Sequence, residues 1–136
     1  MSATATSFSV ALPIDDRVRA MAFYRDAFGF ELVGEPAEDG VPEPLMFRTG
    51  EGALLVLVPR GGFGWVLGEG RELAAPGTSE CLLGMSLTTE AEVDALVESV
   101  RRAGGAVPAE PEHKPWGYTA LCADLDGHVW QLLVQP

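Results

Sequence analysis

Histidine, cysteine and lysine, which commonly serve as metal ligands or catalytic nucleophiles, are sparse in this chain of 136 residues. It contains two histidines, His113 and His128, two cysteines, Cys81 and Cys122, and a single lysine, Lys114. No G-x-S-x-G, H-E-x-x-H or Walker motif is present, so the spacings that assemble a serine nucleophile, a zinc site or a phosphate cradle are missing. The cysteines lie in apolar stretches without a neighbouring histidine, which predicts buried and unreactive thiols.

Four aromatic side chains near glycines could instead bind a planar ligand by stacking. Phe63 and Trp65 lie in a glycine-rich passage, and Trp116 and Tyr118 flank a glycine. Aromatic rings suit apolar ligand sites, but tryptophan and tyrosine are also enriched where subunits meet, so both interpretations stay open. Arg48 could pair with an anionic group of a ligand, although a surface arginine beside Glu51 is the commoner outcome.

The composition excludes several classes of function. Twenty acidic side chains against nine basic ones give a net charge of -11, and this field repels phosphate backbones and anionic lipid surfaces. The longest apolar run, residues 53–58, is far shorter than the roughly 20 residues that cross a bilayer. The opening segment MSATATS lacks the features of a secretory signal. We therefore expect a cytoplasmic protein without nucleic-acid or membrane partners.

Hydrophobic periodicity predicts a strand, a helix and three more strands in the first half of the chain. A strand ends at Pro13, a helix spans 16–28 with an aspartate as its N-cap, and a short strand covers 30–35. Residues 45–50 and 52–60 then form an antiparallel hairpin. This first module covers about 7–59. The glycine-rich segment that follows is expected to be a loop over 60–80, because no helical pattern opens there.

The same order of elements is predicted again in the second half, over a module of about 81–135. The expected elements are a strand at 81–87, a helix at 88–105, a short strand at 106–108, and a final hairpin of 118–124 and 128–134. The turn of that hairpin is Asp126-Gly127, which is a strong local turn signal. His113 falls in the connection before this hairpin and is expected to lie in a loop.

Two strings connect this pattern to a known family. Residues 12–33, LPIDDRVRAMAFYRDAFGFELV, are similar to the first module of the vicinal oxygen chelate superfamily, the glyoxalase, bleomycin-resistance and extradiol-dioxygenase group. Residues 116–136, WGYTALCADLDGHVWQLLVQP, resemble its last hairpin, with Leu125 where proline is usual. The resemblance covers residues 8–135. It implies an α+β fold in one domain, 1–136, with two βαβββ modules that form a cup-shaped mixed sheet, often completed by a homodimer.

The resemblance also implies where a metal would bind. Enzymes of this superfamily typically hold a divalent cation with side chains from the first and fourth strands of each module, and those four positions fall on Ser9, Val56, Leu82 or Gly84, and Gln131. None is a histidine or a carboxylate, which are the oxygen and nitrogen donors that such cations prefer. We therefore expect no functional metal and no cofactor. Strand alternation directs Gln131 into the cup and the residues beside it towards a helix.

Two functional hypotheses follow. The favoured one is a metal-independent protein, a homodimer, that binds a small organic molecule, aromatic or cationic, and sequesters an antibiotic or a natural-product intermediate. The alternative is a glyoxalase-like lyase or isomerase, or a dioxygenase, acting on a small organic substrate. A third possibility is a protein that has no ligand and works through its dimer surface. No catalytic residue is assigned; the predicted ligand-binding residues are Ser9, Arg48, Phe63, Trp65, Trp116, Tyr118 and Gln131.

Overall fold

The computed structural model describes residues 3–136 and forms two compact units. One unit contains residues 3–25 and 29–73, and the other contains 26–28 and 74–136. Each holds a βαβββ sequence of elements with a four-stranded mixed sheet, which confirms the α+β class and the two modules. Met1 and Ser2, the first residues of the segment that lacks the features of a secretory signal, lie outside the described residues. No helix within 3–136 is long and apolar enough to cross a membrane.

The first unit is built on a sheet in the order β1-β4-β3-β2. Its elements are β1 (Phe8–Ile14), α1 (Arg17–Phe23), β2 (Glu31–Val33), β3 (Leu45–Gly50), β4 (Ala53–Pro59) and α2 (Arg60–Leu67). A π-helical turn (Tyr24–Phe28) follows α1, and its residues 26–28 belong to the second unit. β1 runs parallel to β4, and the β2–β3 and β3–β4 pairs are antiparallel. β1 and β4 can run in the same direction because α1, β2 and β3 lie between them in sequence, and a parallel pair needs a long connection of this kind.

Local capping explains where the first helix begins and ends. The Asp16 carboxylate accepts a hydrogen bond from the backbone N–H of Arg19 at 3.0 Å, as an N-cap does. The helix then widens into the π-helical turn and ends at Gly29, whose φ of 69° lies in the left-handed region that glycine adopts most readily. The predicted helix over 16–28 is thus confirmed in extent, with a change of hydrogen-bond pattern in its second half.

The core of the first unit lies between α1 and one face of the sheet. Alternate residues of the strands point to this face and are buried; they are Leu12, Ile14, Leu45, Phe47, Leu55 and Leu57. Helix α1 and the turn after it contribute Ala20, Phe23 and Tyr24. The Tyr24 ring centroid lies 6.0 Å from that of Phe47. The alternation leaves the second face of the sheet uncovered by α1.

The prediction of a loop over 60–80 is wrong in its first part, where α2 forms. Three glycines among the eight residues of α2 lower the intrinsic helix propensity, so the sequence carries no clear helical signal. The helix instead depends on packing, because it lies against β1 and β4. A Cβ on Gly64 would lie 3.3 Å from Leu73 Cδ1. That glycine therefore lets the chain after the helix approach closely.

The second unit repeats the plan with the order β5-β8-β7-β6. Its elements are β5 (Leu83–Ser86), α3 (Glu90–Arg102), β6 (Ala106–Lys114), β7 (Gly117–Ala123) and β8 (Val129–Val134). β5 is parallel to β8, and the β6–β7 and β7–β8 pairs are antiparallel. Val93, Val97 and Val100 of α3 are buried, as are Cys122, Trp130 and Leu132 of the sheet. These residues form the second core.

A capping box begins α3. The Thr89 hydroxyl accepts a hydrogen bond from the backbone N–H of Glu92 at 3.2 Å, and the Glu92 carboxylate accepts one from the backbone N–H of Thr89 at 2.9 Å. Two N–H groups that the helix itself cannot satisfy are thereby paired. This local chemistry is readable from sequence, and the predicted helix is confirmed.

The predicted short strand at 106–108 is wrong in length, because β6 continues to Lys114. His113 consequently lies in a strand and not in a loop. Pro108 and Pro111 are unusual within such a strand, since proline cannot donate to the ladder. β6 is an edge strand, where half of the N–H positions need no partner, and its register with β7 shifts twice. An edge position therefore accommodates both prolines.

Candidate functional site

Each sheet has one face under its helix and one face open on the other side. In the first unit the residues of the open face are exposed or half-buried. We call this surface the first open face; strand register assigns to it Ser9, Ala11, Met46, Arg48, Leu54, Val56 and Val58. Ser9 lies beside Leu54 and Ala11 beside Val56. Apart from Ser9, the β1–β4 part of this face is apolar.

Arg48 is the one cationic side chain on the first open face. Its guanidinium lies 3.1 Å from the carboxylate of Glu31, its register partner on β2, and both side chains are about half exposed or more, at 48% and 68%. The partner is thus Glu31 and not the expected Glu51. An exposed pair of this kind contributes little to stability. Arg48 therefore stays accessible at one edge of the face.

The second unit has an open face of mixed character. We call it the second open face, and strand register assigns to it Gly84, Ser86, Glu112, Lys114, Thr119, Leu121, Gln131 and Leu133. The prediction that Gln131 points away from the helix while Trp130 and Leu132 pack beneath it is confirmed by their burial. Gln131 lies between Gly84 on β5 and Leu121 on β7.

Apart from Ser86 on β5, the remaining polar groups of the second open face lie on β6 and β7. The Lys114 ammonium is 3.2 Å from the carboxylate of Glu112, so the single lysine of the chain is held by an acid on the same face. Thr119, beside Glu112 and Leu133 in register, is only 8% exposed. Its hydroxyl has no hydrogen-bond partner in the structure. Sequence reasoning missed Thr119, although the register of the last hairpin would have placed it on this face.

The residues at the four implied metal positions do not fit a divalent cation. Ser9 and Val56 lie on the first open face and Gly84 and Gln131 on the second, while Leu82 precedes β5 and is exposed. A hydroxyl, alkyl groups and a neutral amide are weak donors or none. Within residues 3–136, no group of three or more histidine, cysteine, aspartate or glutamate side chains could hold a metal. These four positions therefore do not form a site for a divalent metal.

Tyr118 lies on the helix side of its sheet, opposite to Gln131. Its hydroxyl donates a hydrogen bond to the Asp94 carboxylate of α3 at 2.6 Å, and its ring centroid is 4.7 Å from that of His113. The Nε2 atom of His113 in turn lies 2.9 Å from a carboxylate oxygen of Glu90. The hydrogen bond to Asp94, with burial and the charges of Asp94 and Glu90, raises the pKa of Tyr118 to about 12.

The other three aromatic candidates lie outside the strands that form the two open faces. Trp116 occupies the turn between β6 and β7 and is 54% exposed. Phe63 and Trp65 lie on α2, where Phe63 is half-buried and Trp65 is 84% exposed. Of the predicted ligand-binding residues, the structure therefore brings Ser9 and Arg48 to one face, and it places Gln131 on the face that also carries Thr119.

A shallow groove of about 320 Å³ runs between α3 and β6 on the helix side of the second unit. It is lined by Asp94, Val97, Glu98, Arg101, Glu110, Pro111 and Tyr118. The Arg101 guanidinium lies 2.8 Å from the Glu98 carboxylate and also pairs with Glu110; the hydrogen bond to Glu98 is the main cause that raises the pKa of Arg101. These charges satisfy one another across the groove.

The two cysteines occupy different environments. Cys122 is fully buried beneath α3, and burial raises the pKa of its thiol to about 11. Cys81 is exposed, so the prediction of a buried thiol is wrong there. The reason is that β5 begins at Leu83 and leaves Cys81 in the preceding loop.

Several solved structures are similar to this chain over most of its length. A hypothetical protein from S. aureus is 29% identical with a TM-score of 0.81, and the match covers 97% of this chain and 95% of that chain. A glyoxalase-related enzyme from Fulvimarina pelagi is 25% identical, with a TM-score of 0.78 and coverage of 94% and 86%. TnmS3, an antibiotic binding protein from Streptomyces sp. CB03234, is 25% identical, with a TM-score of 0.67 and full coverage of both chains, 100% and 100%.

The sequence itself matches a family model over most of its length. No curated protein matches the chain. The model of the Glyoxalase/Bleomycin resistance protein/Dioxygenase superfamily matches residues 7–132, which include both βαβββ units and both open faces. The expectation drawn from residues 12–33 and 116–136 is thereby confirmed, and the chain belongs to the Glyoxalase/Bleomycin resistance protein/Dioxygenase superfamily.

Proposed function

We propose that this protein binds a small organic molecule on its open sheet faces without the help of a metal ion. The observation that carries the proposal is the composition of those faces. The first is accessible and largely apolar, the second combines leucines with polar groups, and the polar groups of the described residues form no metal-donor set. Binding sites for small organic molecules have this character. Further support comes from TnmS3, an antibiotic binding protein that is 25% identical over the full chain.

The ligand class follows from charge and shape. A net charge of -11 attracts cations and repels anions, and Arg48 is engaged by Glu31. Flat strands with alkyl side chains such as Val56 offer a surface on which a planar ring can lie. We therefore propose an aromatic, cationic ligand of the antibiotic or natural-product kind, sequestered and not turned over.

The probe 2-(aminomethyl)anthraquinone, a planar cation, tests this function. Binding to the folded state should raise the melting temperature, with a stabilisation of about 2.7 kcal/mol at a hundredfold excess over Kd. The double variant Val56→Arg, Leu121→Arg places a like charge on each open face and should abolish the shift, whereas Val18→Arg on the exposed side of α1 should leave it unchanged. A folded wild-type protein without any shift would contradict the proposal.

Metal independence is tested separately. Protein purified without chelators should contain far less than one equivalent of zinc, nickel, iron or manganese by elemental analysis, and added Zn²⁺ should leave probe affinity unchanged. The second candidate function, a glyoxalase-like lyase or isomerase or a dioxygenase, is favoured by the glyoxalase-related enzyme of Fulvimarina pelagi at 25% identity. About one tightly held metal per chain would favour this enzyme over the binding protein.

We extend the proposal to a homodimer in which a second copy covers α2. Trp65, Val66 and Leu67 are large, apolar and exposed, and an isolated apolar patch of this kind is typical of contacts between proteins. Residues 60–67 contain no acid, so two such surfaces can approach although the chains repel each other overall. Sedimentation should show a dimer that Trp65→Glu dissociates and Val18→Glu does not; a monomeric wild type would refute this part.

A cytoplasmic location completes the proposal. Both cysteines, Cys81 and Cys122, are free thiols, and free thiols persist most readily in the reducing cytoplasm. Fractionation of the producing cell should recover the protein with cytoplasmic markers, and recovery from the external medium would contradict it.

A further inference from the structure

The Thr119 hydroxyl is a polar group that the protein leaves unsatisfied. Among residues 3–136 its Oγ1 is the single buried side-chain oxygen or nitrogen without a hydrogen-bond partner. Buried polar atoms nearly always have a partner, because leaving one without water or a substitute destabilises the folded state. An exception of this kind calls for a partner that comes from outside the chain.

The surroundings of Thr119 show which side that partner must approach from. On the helix side of β7 the neighbouring Tyr118 is already bonded to Asp94. Thr119 points to the other side, the second open face, with Leu133 beside it on β8. Leu121 follows it on the same face. The small hydroxyl therefore lies at the floor of this surface, between the longer side chains of Leu133 and Glu112.

The residues around Thr119 also limit which chemical groups could be its partner. Leu121 and Leu133 favour an apolar, flat body, and the amide of Gln131, beside Leu121 in register, can donate or accept at its edge. Glu112 lies beside Thr119 on β6 and disfavours a carboxylate or phosphate. The Thr119 hydroxyl has no hydrogen-bond partner of either kind, and it can donate its proton to an acceptor on the ligand. An uncharged carbonyl oxygen meets all three conditions.

We infer that Thr119 is a ligand-contacting residue whose hydroxyl donates a hydrogen bond to a carbonyl oxygen of a polycyclic aromatic ketone or quinone lying on Leu121 and Leu133. The inference rests on the proposed function and specifies the ligand class and the face that receives it. Because the hydroxyl is buried in the free protein, this contact requires the side chains of Leu121 and Leu133 to rotate away from it.

A pair of matched probes isolates this hydrogen bond. 2-(Aminomethyl)anthraquinone and 2-(aminomethyl)anthracene are planar cations of similar size, and only the first carries carbonyl oxygens. Thr119→Val removes the hydroxyl and keeps the branched shape. We expect the variant to bind the quinone about 5- to 10-fold more weakly, the usual effect of one lost hydrogen bond, and to bind the anthracene as the wild type does. Equal losses for both probes, or no loss for the quinone, would overturn the inference.

A measurement without any ligand tests the same point. Because the hydroxyl has no partner, Thr119→Val should keep or raise the melting temperature of the free protein. Thr89→Val is the control, since the Thr89 hydroxyl accepts a hydrogen bond from Glu92 and its removal should lower the melting temperature. If Thr119→Val lowers the melting temperature as much as this control does, the hydroxyl is satisfied within the protein and the inference is wrong.

The two levels of proposal fail in different ways. A wild-type protein that binds neither probe contradicts the proposed function for planar cations, and the ligand-free melting experiment still decides the state of Thr119. A wild type that binds both probes equally, with Thr119→Val unchanged, keeps the proposed function and removes Thr119 from it.

Discussion

At the scale of single residues, the two thiols offer a direct comparison of environments. Cys122 is buried and its pKa is raised to about 11, so at neutral pH it is a thiol and out of reach of reagents. Cys81 is exposed. We predict that Ellman's reagent modifies one thiol rapidly in the native protein and the second only after denaturation. Cys81→Ser should remove the rapid phase, and a rapid phase that persists in this variant would contradict the assignment.

Tyr118 predicts a pH dependence at the alkaline end. Its pKa is raised to about 12 in the folded protein against about 10 for a free tyrosine, so the neutral phenol that donates to Asp94 favours folding. This contribution is complete below pH 10 and is lost as the pH rises from 10 through 12. The wild type should therefore melt above Tyr118→Phe at pH 8, and the difference should shrink towards pH 12.

Absorbance at 295 nm follows the phenol directly and supplies the control. Asp94→Asn removes the charge and weakens the hydrogen bond, so the Tyr118 phenol should titrate at a lower pH in this variant than in the wild type. A Tyr118 titration that is unchanged by Asp94→Asn would show that the hydrogen bond is not the cause of the raised pKa.

At the scale of elements, the start of β7 depends on the absence of a side chain. Gly117 has φ of 141°, and a Cβ there would lie 2.3 Å from the carbonyl oxygen of Val134 and 2.9 Å from Leu133 Cδ1. Gly117→Ala should therefore force β7 and β8 apart and reduce the free energy of unfolding by roughly 2 kcal/mol or more, as strain at a special backbone position does. Urea unfolding measures this loss.

Gly84 is the matched control for this prediction because it lies in β5 of the same sheet. A Cβ on Gly84 would meet nothing within 4 Å, and its backbone is not left-handed. Gly84→Ala should leave stability unchanged or raise it slightly, since it reduces the freedom of the unfolded chain. Similar losses for both variants would contradict the close approach of β7 to β8.

At the scale of the whole molecule, the net charge of -11 predicts how ligand association responds to salt. A negative field accelerates encounter with a cation, and added salt screens it, with a Debye length of about 10 Å at 0.1 M. The association rate of 2-(aminomethyl)anthraquinone should fall several-fold between about 0.02 M and 0.5 M sodium chloride. Stopped-flow fluorescence measures this rate.

An uncharged analogue separates charge from other effects of salt. 2-(Hydroxymethyl)anthraquinone has the same ring system without the ammonium group, and its association rate should change little over the same range. If both compounds slow down equally, the acidic surface serves solubility and does not steer the ligand.

The order of the βαβββ elements within each unit and the two open faces were available from sequence because they depend on local chemistry and alternation. The N-caps at Asp16 and Thr89 and the turn at Asp126-Gly127 specify where elements begin and end through bonds to residues a few positions away. The two-residue period of a strand decides that Gln131 and Trp130 point to opposite faces, whatever the neighbouring strands are.

Only the tertiary structure decided the features that depend on distant partners. Helix α2 forms in a glycine-rich segment because β1 and β4 support it, and β6 extends past two prolines because it lies at a sheet edge. Nothing in the sequence around Thr119 distinguishes this residue from other strand threonines. Its hydroxyl is unsatisfied because the packing of β7 against its neighbours buries it without a hydrogen-bond partner. Burial and hydrogen-bond satisfaction are properties of the packed chain, and no short stretch of sequence contains them.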